Sequence, residues 1–234
     1  MKASKQFFSA FQAAPILGLF LSSVAVKALN AAEPPSGAAS DAFASATQLT
    51  LEPAHSDLWQ GGVGNGFQST AQSLSIEAGA SAGFAAFGGR LSHDLALVSI
   101  SYGHMLGPVR GTGHWYRGNW ELRGELFTGA EFSPGTTWGI GLTPHLRYDF
   151  AIGTRWVPFA DIGAGVTATG ERAPDLGGAF EFNLQATVGT HWFVRDNLAV
   201  TVEARYLHVS SAGLYTPNLG LNTVAGLVGV TWFF

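Results

Sequence analysis

The chain contains no cysteine, which removes disulfide frameworks, thiolate nucleophiles and cysteine metal ligands from consideration at once. Cations are scarce: 12 Lys and Arg against 16 Asp and Glu leave a net charge of −4. Neutralising a phosphate backbone takes clustered positive charge, so no nucleic acid partner is expected. Beyond the N-terminal region no apolar run approaches the ~20 residues that a membrane-spanning helix needs. The glycines of LWQGGVGNGF, from Leu58, lack the Lys-Ser/Thr pair that completes a phosphate loop. His93, His104, His114, His145 and His191 are scattered without ligand spacing such as His-x-x-x-His, so no metal and no cofactor are expected.

What the chain does have is glycine and aromatic side chains, with 31 Gly, 17 Phe and 7 Trp, a composition that suits a β-rich protein. Lys2 and Lys5 precede an apolar stretch, AAPILGLFLSSVAV, and small residues around Ala31 and Ala32. This is the layout of a cleaved secretory signal peptide, expected over residues 1–32. Residues 33–68 are rich in Pro, Ala and Ser, carry no periodicity and read as a leader.

From residue 69 to 234 the pattern alternates with a period of two, which sends successive side chains of a strand to opposite faces. In the segment 120–132, Trp120, Leu122, Leu126 and Phe132 oppose Glu121, Arg123, Glu125 and Glu131. The segments 138–150 and 178–193 repeat this alternation, and similar readings cover 70–86, 156–169, 197–210 and 222–234. The segment 92–105 is the poorest match, because Leu95 and Leu97 fall on the polar face. About eight antiparallel strands result, the number that closes the smallest transmembrane β-barrels.

A soluble sandwich also alternates. Three features favour an outer-membrane barrel: an ion-rich face suited to a filled lumen, aromatics near strand ends, and a final strand ending in TWFF. On this reading Glu121 and Glu125 are lumen residues paired with Arg123, Arg147 or Arg205, and no pore is expected.

The strand 198–210 then becomes informative. Leu198, Val200, Val202, Ala204 and Tyr206 form the lipid-facing row, and His208 and Ser210 extend it. On the last strand Asn222 shares the parity of Val224, Val228, Val230, Trp232 and Phe234. All three polar side chains therefore face outward, near the extracellular surface if the terminal aromatic lies at the periplasmic rim. They read either as polar residues in the headgroup zone or as a nucleophile, its base and an orienting group.

At these residues the chain resembles the lipid A 3-O-deacylase family (PagL type), also called acyloxyacyl hydrolases. The family signature runs His-x-Ser-Asn-Ala-Gly, then Pro-Asn-x-Gly and a polar or acidic residue near the start of the last strand; here it reads HVSSAGLYTPNLGLN. The segments GLTPHLRYDF, PFADIGAGVTATG and GGAFEFNLQATVGTHWF extend the likeness over roughly 137–234. The resemblance implies a metal-free esterase of the bacterial outer membrane that removes an acyl chain from the lipid A of lipopolysaccharide. It makes Ser210 the nucleophile, His208 the base and Asn222 the orienting group, with an oxyanion site around Ser211, Ala212 and Gly213. Ser211 replaces the family's asparagine, and Asn222 stands where the best-known pattern has glutamate. A non-catalytic structural or adhesive barrel is the alternative. Outer-membrane lipids are expected neighbours, and both a monomer and a homodimer fit the pattern.

Overall fold

The computed structural model describes residues 67–151, 155–172 and 174–234. The expected signal peptide, and the leader except for Phe67 and Gln68, lie outside the described residues. Eight strands follow in chain order: β1 (Gln72–Gly83), β2 (Asp94–Met105), β3 (Gly118–Ser133), β4 (Trp138–Phe150), β5 (Trp156–Thr169), β6 (Phe180–Arg195), β7 (Leu198–Ser210) and β8 (Leu221–Phe233). Each pairs antiparallel with the next, and β1 closes on β8 to form a barrel without sheet edges.

Alternation fixes which side chains fill this barrel. Along β3, Trp120, Leu122, Leu126 and Phe132 are exposed on the outer wall, while Glu121, Arg123, Glu125 and Glu131 are buried inside. A one-residue slip would put the charges outside and the apolar row within, so the hydrophobic pattern pins the register.

The lumen is filled in three layers. At the end where the chain stops, Phe67, Phe193 and Phe233 stack with ring centroids 4.9–5.8 Å apart, joined by Met105 and Val157. The middle layer is ionic. Arg147 donates to Asp161 at 2.7 and 2.9 Å and lies 3.5 Å above the Phe159 ring. Arg205 meets Glu203 at 2.5 Å and Glu125 at 2.6 Å, and Arg123 meets Asp161 at 3.4 Å. Glu125 and Glu121 are therefore interior residues close to arginines, Glu121 lying 3.9 Å from Arg123. At the opposite end Leu97, Phe127, Leu176, Leu207, Val209, Leu221 and Leu227 form an apolar cap.

That cap explains the irregular β2. Leu97 is buried and Leu95 packs against the same cluster, so apolar side chains enter the interior near the loops of this end, beside the buried polar His93, Glu131 and Asp175. The connections 84–93, 134–137, 170–179 and 211–220 all lie at the cap end. At the other end Asp196 and Asn197 make the tight turn between β6 and β7.

Removing the Arg147 guanidinium would leave Asp161 buried without its closest cation. Such a loss typically costs about 3–5 kcal/mol. Arg147→Ala is expected to lower the urea midpoint of barrel unfolding, followed by heat-modifiable gel migration, by a corresponding amount; an unchanged midpoint would show that the ionic layer does not hold the barrel.

Candidate functional site

The site begins with the inward side chains of β7. Leu207 and Val209 are buried in the apolar cap, which leaves Tyr206, His208 and Ser210 on the outer wall. His208 and Asn222 are direct cross-strand partners between β7 and β8, so the register alone brings them together.

The side chains complete the contact. His208 Nε2 lies 3.0 Å from Ser210 Oγ, and His208 Nδ1 lies 2.9 Å from Asn222 Oδ1. The amide of Asn222 is bonded at both ends, and the Ala86 carbonyl sets its orientation. Its Nδ2 donates to the Ala86 carbonyl at 3.1 Å, and its Oδ1 accepts from the Tyr206 hydroxyl at 2.7 Å. A flipped amide would set its oxygen against the Ala86 carbonyl and lose that bond, while the Tyr206 hydroxyl can donate to the oxygen or accept from the nitrogen and so is compatible with either orientation. With Oδ1 facing the ring, Nδ1 must carry the proton, and the Nε2 lone pair points at the serine hydroxyl.

Asn222 shares the outward parity of β8, yet it is only 2% exposed. The β1–β2 connection folds over it: Phe84 N donates to Asn222 O at 3.0 Å, and the Phe87 ring stands edge-on to His208 at 6.5 Å. The result is a recess in the outer wall, rimmed by the exposed Phe87 and flanked on β6 by Phe182 and Leu184, the cross-strand neighbours of Ser210 and His208.

Glycine is required at one point of this recess. Gly220 has φ +81°, and a Cβ there would lie 2.8 Å from His208 Cε1. The backbone itself backs the imidazole.

The loop after Ser210 turns sharply, with Ala212 at φ +50° and Gly213 at φ +88°. Ser211 is wholly buried, donates its N–H to Asn218 Oδ1 at 2.8 Å, and its hydroxyl donates to the Tyr215 carbonyl at 3.5 Å while accepting from Tyr215 N at 3.3 Å. Both donors of Ser211 are thus engaged, whereas Ala212 and Gly213 lie on the exposed part of the turn. A second polar cluster sits at the same end. His93 meets Glu131 at 2.8 Å and Asp175 at 3.2 Å, and donor atoms of His93, Glu131 and Glu171 lie within 4.8 Å of one another. Burial and the adjacent Glu131 carboxylate raise Glu171 above the usual carboxyl range. Burial pushes Asp175 the same way, but the Leu91 and Arg90 N–H groups and His93 more than offset it and hold this carboxyl low.

The profile of the family described as lipid A 3-O-deacylase (PagL) matches residues 96–231, a span that includes His208, Ser210 and Asn222. The chain belongs to this family. Among solved structures, the outer membrane enzyme PagL is 20% identical over 67% of this chain and 97% of its own, with a TM-score of 0.48. The Neisserial surface protein A is 16% identical over 70% of this chain and 99% of its own, with a TM-score of 0.52. Ail of Yersinia pestis is 13% identical over 71% of this chain and 100% of its own, at 0.44. At 16% identity the likeness to Neisserial surface protein A, with a TM-score above 0.5, speaks to the fold alone. No curated protein sequence matches the chain. The family and the fold locate the protein in the bacterial outer membrane, and the family is one of lipid A deacylases.

Tyr206, Ala86, Phe87 and Gly220 are the residues that the sequence reading did not assign to the site. Tyr206 could have been found, since it lies on the outer face two residues before His208. The Ala86 carbonyl has no signature in sequence, because any residue could supply it. For Gly220, replacement by Ala would strain the backbone and drive the ring from its position, and a displacement near 1 Å can cost about 10²-fold in rate. Gly220→Ala is expected to fold as a barrel and lose about that much esterase activity on a short-chain chromogenic ester; full retention would contradict the packing role of the backbone at this position.

Proposed function

We propose that the protein is a serine esterase that removes a fatty acyl chain from the lipid A of lipopolysaccharide. The observation that carries this reading is the outward-facing chain of contacts from Ser210 through His208 to Asn222, with separations of 3.0 and 2.9 Å. Family membership supplies the substrate class.

The proposed reaction begins when His208 Nε2 takes the proton of Ser210 Oγ as the oxygen attacks the ester carbonyl carbon. The negative charge formed on the carbonyl oxygen is met by backbone N–H groups of the turn at Ala212 and Gly213, which the bound lipid would cover. Collapse of the tetrahedral intermediate breaks the bond to the sugar oxygen, which leaves with the proton from His208. Water then repeats the sequence on the acyl-serine, with His208 again as base, and releases the fatty acid. Phe182 and Leu184 provide apolar wall beside the reacting groups, against which acyl chains lie in the plane of the outer leaflet.

Asn222 orients the imidazole but brings no charge to the imidazolium. In serine hydrolases an asparagine at the orienting position can impose the wrong tautomer, and turnover then falls about 10⁴-fold. Here the Ala86 carbonyl orients the amide, with the Tyr206 hydroxyl bonded to its oxygen, so that the Nδ1–H tautomer is favoured, leaving the missing charge as the remaining deficit.

Lipid A from cells expressing the wild type is expected to lose the mass of one acyl chain, and lipid A from cells expressing Ser210→Ala to keep it. Identical spectra from the two would sink the enzymatic reading and favour a non-catalytic barrel. Tyr206→Phe removes one hydrogen bond to Asn222, worth about 1 kcal/mol, so a decrease of about fivefold in kcat is expected from kinetics on purified lipopolysaccharide. A loss as large as that of Ser210→Ala would assign Tyr206 a chemical role.

A further inference from the structure

Asp175 lies in the β5–β6 connection, wholly buried and remote in sequence from every residue that faces the ester. Its two ends hold the two connections that frame the recess. The carboxylate accepts from Arg90 N at 3.0 and 3.1 Å and from Leu91 N at 2.8 Å, and His93 Nε2 approaches it at 3.2 Å. These bonds tie down the far side of the connection that supplies Ala86 to Asn222 and Phe87 to His208. The main-chain carbonyl of Asp175 accepts from Leu219 N at 2.9 Å and from Gly220 N at 3.4 Å. The adjacent Leu176 bridges to Asn218, whose side chain takes the Ser211 N–H. Gly220 in turn backs the imidazole, and a Cβ on Gly89 would meet the Gly220 carbonyl at 2.8 Å, so the two connections touch directly.

Building on the esterase reading, we propose that Asp175 is a positioning residue of the reaction: by clamping the 84–91 and 218–220 segments it holds Asn222 and His208 in the geometry that activates Ser210. The side chain matters because a carboxylate can accept both N–H groups and the imidazole together. An asparagine has one acceptor oxygen, and its amide N–H₂ would face donors. Without the clamp the Ala86 carbonyl drifts from Asn222, the amide is free to flip, and the Nδ1–H tautomer of His208 is no longer enforced.

A positioning role differs from a purely structural one in what it changes. A structural residue alters the yield of folded barrel, whereas this clamp alters the reactivity of each folded molecule. The probe is a fluorophosphonate, which forms a P–O bond to Ser210 Oγ as fluoride leaves and the hydroxyl proton passes to His208. Labelling therefore reports the activated serine without any lipid. The full chain is compared in detergent as wild type, Asp175→Asn and Asp175→Ala, with folded barrel scored by heat-modifiable migration and all rates expressed per folded molecule.

Labelling is expected to fall about tenfold in Asp175→Asn, the consequence of losing one or two hydrogen bonds, and about 10²-fold in Asp175→Ala. On lipopolysaccharide, kcat should fall in parallel while KM changes by less than about threefold, the pattern of an interaction felt in the transition state. Folded variants that label at the wild-type rate overturn the role of Asp175, as does an Asp175→Asn protein that yields no folded barrel. A wild type that neither labels nor deacylates overturns the esterase reading itself, which the comparison of variants leaves distinguishable.

Discussion

The period-two geometry of a closed barrel governs everything functional in this chain. Because each strand must place one side-chain row in a filled lumen and the other against lipid, the identity of the inward residues decides which residues face out. On β7 the inward row ends in Leu207 and Val209, which complete an apolar cap with Leu97, Phe127 and Leu221. His208 and Ser210 are outward for that reason, and the cross-strand register then places Asn222 beside His208. On the proposed esterase reading, a site on the outer wall would meet its ester laterally, from the membrane, without any passage through the filled interior.

Parity delivers the residues to one place but does not choose the protonation state on which a serine nucleophile depends. That choice falls to groups around Asn222. Its amide sits between a carbonyl that accepts from its nitrogen and a hydroxyl that donates to its oxygen, at 3.1 and 2.7 Å. The carbonyl, an acceptor only, sets the orientation and the hydroxyl adapts to it, so a neutral residue can impose the tautomer that a carboxylate would impose by charge. What it cannot supply is stabilisation of the imidazolium as it forms, and the expected consequence is a competent but slower site than one with an acidic partner. Burial of Asn222 under the β1–β2 connection strengthens the bias, since an amide shielded from water has no solvent partners to replace the bonds lost on flipping.

The barrel was legible in the sequence because its determinants are local and repetitive. The alternation of Trp120, Leu122 and Leu126 with Glu121, Arg123 and Glu125 fixes both strand and facing without knowledge of any partner. Leu95 and Leu97 break the alternation because the inward row of β2 turns apolar where it meets the cap. That His208, Ser210 and Asn222 come together was legible, because they share the outward parity and lie on paired strands. The supporting contacts were not. The Ala86 carbonyl, the backbone of Gly220 and the Asp175 clamp come from three connections whose meeting is set by loop conformation, and main-chain groups leave no residue-type signal. Ser211 shows the converse: a motif position next to the nucleophile suggested an oxyanion donor, yet its N–H and hydroxyl are engaged by Asn218 and Tyr215 within the turn.

The account turns on where the imidazole of His208 carries its proton. Nitrogen NMR of the folded barrel, labelled at histidine, reads this directly. A His208 ring protonated at Nδ1, with Nε2 as the free acceptor, is the predicted state; a ring protonated at Nε2 would leave Ser210 without a base and contradict the account.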